Sequence, residues 1–361
     1  MMRNWFGLVL LLFAFVYGET GEATITNNGT NGENIQVTIV NQKDLDEYLN
    51  ATGTDLSGDI VTFRNTSTVT FPDQWYFVKE KTTEWWFESI SDGADVELNN
   101  SVFAISNQSN FYLKINGGGT EQNMKSIKNG TFFGSSSTNN KGGFIGQMLN
   151  GHHWYFKNLV FKNAHLQGHH LFDLAGCTDI SFDTIKSYGY GHSEYSTAQL
   201  GDLYSSNPHN LYVEAIQLDR SIDSAFSGSL KDKPFFKNIS PTQASTTNVI
   251  LKDSLFTTYY GRSAQGYIDG SKETVARNYS ATAIGSHTGD ENRPYTGLHF
   301  YRNTFNKTIR TPTKNDDKRL YPIHVKYGTK DQVKQTSNIF QNQSGDPGSN
   351  GVVGGYLAWY K

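Results

Sequence analysis

The 361-residue chain carries 31 Lys and Arg against 34 Asp and Glu, a formal net charge of −3, and has none of the basic stripes that nucleic acid binding requires. Apolar residues make up 36% of it and aromatic residues 14%, too polar for a membrane protein and too aromatic for a disordered one. The single cysteine, Cys177, excludes an intramolecular disulfide and a cysteine-rich metal site, and its apolar surroundings over 171–180 mark it as core.

Arg3, the apolar run 6–17 and the small Gly18 form a signal-peptide pattern over 1–18, too short to span a bilayer. This predicts a secreted, extracellular mature chain over 19–361, monomeric and without stable membrane association; a secreted chain with one cysteine fits a bacterial protein. Residues 35–40 read as a strand. Residues 41–49 then read as a short amphipathic helix with Leu45, Tyr48 and Leu49 on one side, and 60–63 return to β character. No second helix is expected after that.

The β-rich runs that follow are of two alternating kinds. The first includes Phe172-Asp173-Leu174-Ala175, Ile216-Gln217-Leu218-Asp219, Ile284-Gly285-Ser286-His287 and Ile323-His324-Val325-Lys326. The second opens on Asn, Asp or Gly and alternates, as in Asp179-Ile180-Ser181-Phe182-Asp183 and Asn248-Val249-Ile250-Leu251-Lys252. Degenerate strands with polar connections of free length predict coils stacked in parallel, with each strand bonded to its copy in the next coil. An antiparallel sandwich would need tight hairpin signals, which are few. The expected fold is therefore an all-β, right-handed parallel β-helix in a single domain, its N-terminal end capped by the helix at 41–49.

Three segments resemble the pectin-lyase-like superfamily: Gly168-His169-His170-Leu171-Phe172-Asp173-Leu174-Ala175-Gly176-Cys177, Glu214-Ala215-Ile216-Gln217-Leu218-Asp219 and Ile284-Gly285-Ser286-His287-Thr288. That superfamily comprises parallel β-helix polysaccharide lyases and polygalacturonase-type glycosidases, and the likeness is greatest to exported Gram-positive proteins described as pectate-lyase-like. It implies action on a polysaccharide, acidic or bacterial in origin. The order acid, acid, His, Lys along the chain is similar to that of polygalacturonase-type enzymes. Here, however, the acid pair is Asp219-Arg220 and His324 stands in place of an arginine.

Aligning the first-kind strands on their inward residues puts Asp173, Gln217, Gly285 and His324 in one outward column. Ala175, Asp219, His287 and Lys326 form the other. Asp173 and Asp219 then lie roughly 8 Å apart at the backbone, within the separation of about 6.5–9.5 Å that suits inverting hydrolysis. One carboxyl would protonate the leaving oxygen and the other activate water, with His287 tuning the acid. Lys326, His324, Gln217, His169, Arg220 and Arg262 are the expected substrate contacts. The second-kind outward positions Ser181, Ile250, Lys252, His299 and Tyr301 show no comparable column of acid beside base.

The favoured reading is a polysaccharide hydrolase needing no metal or cofactor. A lyase is the first alternative, with Arg220, Arg262, Lys326 or His287 stabilising charge and Tyr259 or Tyr260 as acid. It could use Ca²⁺ held by Asp173, Asp219 and Glu214, although Glu214 shares parity with inward residues. The second alternative is a non-catalytic carbohydrate-binding or adhesive β-helix. Segments 188–212, 220–247 and 259–280 are expected to rim the groove above the acids.

Overall fold

Asn, Asp and Gly punctuate the β-rich runs because the backbone turns there through the left-handed region, which those residues tolerate best. The computed structural model describes residues 34–87, 94–135, 141–166, 169–190, 214–220, 244–277, 282–286, 291–306, 321–341, 349–353 and 356–360, preceded by the strand Thr26–Asn27. His153, Asp179, Asn248 and Gly297 all have positive φ and succeed one another at one corner of the coils; Asn129, Asn158, Thr184, Asp253 and Arg302 do so at the next. Side chains within each corner column bond to each other. Asn248 Nδ2 donates to Asp179 Oδ1 at 3.1 Å, and Asn158 Nδ2 donates to Asn129 Oδ1 at 2.9 Å.

These corners divide each coil into three faces, and the chain is a parallel β-helix. On the first face the register runs Val61, Trp85, Leu113, Gly146, Phe172, Ile216, Ile284, Ile323. On the second it runs Val69, Val96, Ile127, Phe156, Phe182, Leu251, Phe300. The long strand Gly143–Lys162 turns two corners and contributes to all three faces.

The third face carries a ladder of rings in register: Tyr76, Phe103, Phe132 and Phe161, then Ser187, then Phe256, Phe305 and Phe340. Neighbouring rings stack with centroids 5.2, 5.3 and 5.6 Å apart before Ser187, and 5.6 and 5.4 Å apart after it. The strand spacing of about 4.8 Å sets this geometry, since identical positions on successive coils place flat rings at stacking distance. Ser187 interrupts the ladder, and the buried Tyr190 packs its ring 5.4 Å from Phe256.

The expected cap is present as helix α1, Gln42–Thr52, which runs three residues past the expected end. Asn41 is its N-cap: its side chain accepts from Asp44 N at 3.1 Å while Asp44 accepts from Asn41 N at 3.2 Å, a closed capping box. Leu45 and Tyr48 are buried in the solenoid core, and the Tyr48 hydroxyl donates to Asp59 at 2.8 Å. At the other end the antiparallel pair Ser349–Val353 and Tyr356–Tyr360 covers the edge of the first-face strand Ile323–Lys326.

One expectation fails here. A second helix, α2, spans Ala264–Asp269 inside a hairpin of Tyr259–Arg262 with Thr274–Arg277. It is too short to show a helical period in sequence and is held by tertiary contacts. Ala264 N donates to Gly134 O at 3.1 Å, and Gln265 N to Ser135 Oγ at 2.7 Å. The hairpin therefore docks on the third face, and residues 259–277 do not rim the acids as expected.

Candidate functional site

The two outward columns of the first face form as expected where the structure describes them. Asp173 lies in register with Gln217, Gln217 with Gly285, and Gly285 with His324; Ala175 lies in register with Asp219. His287 falls outside the described residues. Upstream the column continues through Trp86, Lys114 and Gln147, where Lys114 makes a 2.5 Å ion pair with Glu84.

Gln217 Nε2 sits between the two acids, 3.4 Å from Asp173 Oδ1 and 3.3 Å from Asp219 Oδ2. Two atoms that share one donor in this way lie at most about 6.7 Å apart, at or below the shortest separation used for inverting hydrolysis, about 6.5 Å. Burial first, then the charge of Asp219, holds the Asp173 carboxyl well above the ordinary range; the Gln217 amide opposes this, and Glu214 adds to it. The buried amide oxygens of Gln147 and Gln217 have no hydrogen-bond donor among the described residues. They flank Asp173, and a protonated Asp173 can donate to one of them.

These groups face outward, yet most are sealed. Asp219 and Gln217 are 1% exposed and His324 is 0% exposed. Glu214, also buried, joins the acids against the parity expectation. A Cβ at Gly285 would meet Glu214 Cγ at 3.2 Å, so the carboxylate arm folds over the bare glycine. Glu214 precedes the strand Ile216–Asp219, so in–out alternation does not govern it. Among the described residues no three His, Cys, Asp or Glu side chains gather as a metal site.

Of the expected substrate contacts, Gln217, His324, Lys326, His169 and Arg220 belong to or adjoin the first-face strands, and Arg262 does not. Lys326 places its ammonium 4.7 Å over the Tyr327 ring. His169 is half-buried and precedes the strand of Asp173, and burial lowers its imidazole pKa. Arg220 continues the Asp219 strand into an antiparallel bridge with Ser245. Arg262 is not at this site: it belongs to the third-face hairpin, donates to Gly266 O and stacks 4.2 Å over Tyr267. Tyr259 and Tyr260 lie in the same hairpin.

The second face, expected to be bland, carries the open groove. It encloses about 1280 Å³ and crosses the coils from Asp95 to His299. Its floor is the register column Asp95, Ser126, Tyr155, Ser181, Ile250, His299. The neighbouring column is Glu97, Lys128, Lys157, Asp183, Lys252, Tyr301, which does place acid beside base. Lys252 Nζ lies 3.0 Å from Asp183 Oδ2, and the Tyr155 hydroxyl donates to the same oxygen at 2.6 Å. Burial pushes the Asp183 carboxyl up, but hydrogen bonds from Tyr155, Thr184 and Lys252 outweigh it and hold the pKa below the usual range. At the groove's edge His153 lies 3.5 Å from Asp179. Extending the second-kind alignment by one alternate position, to Asp183 and Lys157, is the sequence signal that finds this site.

No family model and no curated protein matches the chain. Two solved structures are similar, both of PfbA, a surface adhesin of Streptococcus pneumoniae. The first has a TM-score of 0.37 and 14% identity over 84% of this chain and 75% of that one. The second has a TM-score of 0.33 and 16% identity over the same shares. At this level the likeness concerns the chain trace alone.

Proposed function

We propose that the chain is an extracellular, non-catalytic carbohydrate-binding β-helix that holds a glycan strand along the groove of its second face. The observation that carries this reading is the contrast between the faces. The groove from Asp95 to His299 is open, while Asp219, Gln217 and His324 on the first face are sealed from contact. Asp173 is half-buried, but its partner Asp219, at 1% exposure, has no open space beside it for the water that inverting hydrolysis places between carboxylate and sugar.

The groove chemistry suits a sugar polymer. The Tyr155 ring and the exposed Met124 offer apolar surface to pyranose C–H faces, while Asp95, Asp179, Lys157 and His299 offer partners to hydroxyls. At about 4.8 Å per coil the floor column spans roughly 24 Å, the reach of an oligosaccharide rather than a single ring. A glycan array probed with the mature chain should give hits that Tyr155→Ala weakens. An array without hits, or hits indifferent to Tyr155→Ala and Lys252→Ala together, would remove the groove from the function.

One observation favours a second reading, hydrolysis by Asp173 and Asp219. A carboxyl raised by burial and by a second acid beside it is the arrangement used for general acid catalysis. Release of reducing ends from a glycan that the chain retains, lost in Asp219→Asn, would establish this reading over the first.

A further inference from the structure

We propose that the pocket between α2 and the third face is a separate binding site for a pyranose sugar carrying an anionic substituent. The pocket encloses about 430 Å³ and is built by elements far apart in sequence: Trp75, Thr131, Phe133 and Lys162 from the coils, Tyr260 and Tyr267 from the docked hairpin. Its volume is in the range of small-molecule sites, roughly 300–1,000 Å³.

Three of its rings stand exposed where a folding chain gains nothing by exposing them. Trp75 is 37% exposed, Tyr267 47% and Tyr260 78%. Trp75 and Tyr267 lie with centroids 5.3 Å apart at 35°, and Phe133 packs 5.5 Å behind Tyr267. The platform is preorganised. Arg262 stacks 4.2 Å over Tyr267 and donates to Gly266 O, and α2 is bonded to Gly134 and Ser135 of the coils. Binding therefore costs little ordering of these rings.

The charge of the lining names the ligand. Among the lining residues Lys162 is the only charged side chain and no carboxylate answers it; it is exposed at the rim, beside the Thr131 hydroxyl in the next column. An aromatic platform takes the C–H face of a sugar, hydroxyls take its edge, and an unanswered ammonium takes a carboxylate or a sulfate. A purely apolar ligand would leave Lys162 and the hydroxyls unused.

Titration of the mature chain, followed by saturation-transfer NMR, with methyl glucuronide, galactose 6-sulfate and methyl galactoside tests this. The anionic probes should bind about tenfold tighter than the neutral one, the worth of one charge-assisted hydrogen bond. Lys162→Gln should erase that preference, and Tyr260→Ala, at a position too exposed to affect folding, should weaken all three probes. The two anionic probes separate carboxylate from sulfate selectivity. Lys162→Gln and Tyr260→Ala, both outside the second-face groove, should leave the retention of a groove-bound glycan unchanged, so failure here and failure of the groove are read separately. Equal binding of neutral and anionic probes, indifference to Lys162→Gln or to Tyr260→Ala, or no binding by any probe would each overturn the proposal.

Discussion

Asp183 and Lys252 stand opposite each other on adjacent coils of the second face and close an ion pair of 3.0 Å beside the floor of the groove. The pair fixes the ammonium at the groove wall, and Asp183 also anchors Tyr155 through its hydroxyl. Removing the acid therefore releases two groove side chains together. Asp183→Asn should weaken glycan retention by roughly fivefold to tenfold and destabilise the fold by about 1–3 kcal/mol, measured by affinity electrophoresis and chemical denaturation.

The same carboxyl sets an acid limit. Its folded pKa lies below the ordinary value of 3.8, so its contribution is present above that value and is lost as pH falls through the folded one. Melting curves of the wild type should drop more steeply below about pH 4 than those of Asp183→Asn. Parallel curves would show that the pair contributes nothing to stability.

Asp59 behaves with the opposite sign. Burial, opposed by bonds from Ile35 N and the Tyr48 hydroxyl, raises its pKa from 3.8 to about 6. A raised carboxyl contributes stability that is full below the unfolded pKa and is lost as pH rises through the folded one. Asp59→Asn keeps a group able to bond both partners without ionising. It should be more stable than the wild type at pH 8 by on the order of 2–3 kcal/mol and nearly equal to it at pH 4. A wild-type advantage at pH 8 would contradict this.

Asp173 also has a raised carboxyl, from burial and then from Asp219, so this pair too loses stability as pH rises through the raised value. Asp219→Asn removes the neighbouring charge and should lessen the alkaline loss while leaving glycan retention unchanged. Hydrolysis by the pair predicts instead a loss of cleavage of at least about a hundredfold in the same variant. Melting curves against pH and a reducing-end assay on one preparation separate the two.

Phe132 lies mid-ladder, buried, with Phe103 and Phe161 stacked 5.3 and 5.6 Å away. Phe132→Ala should cost about 3–5 kcal/mol, because neighbouring coils cannot close a ring-sized gap without leaving their hydrogen-bond register. Ser187→Phe, which extends the ladder on paper, should instead destabilise by about 1–3 kcal/mol, since Tyr190 already packs against Phe256. A stabilised Ser187→Phe would show that the site has room.

Alternation and repeat pattern alone were enough to place Asp173 beside Gln217, Gln217 beside Gly285 and Gly285 beside His324. A strand's in–out period is local, and parallel coils copy one register to the next. The core side of α1 was legible for the same reason, because a helical period spans only a few residues. Exposure is not local. Asp219 and His324 have outward parity and are buried, Glu214 reaches the acids from outside its strand, and the hairpin holding Arg262 docks on coils more than a hundred residues earlier. Only tertiary structure decided that the second face, with Tyr155, Asp183 and Lys252, carries an open groove among the described residues, because solvent access depends on what packs over a strand and not on the strand's own sequence.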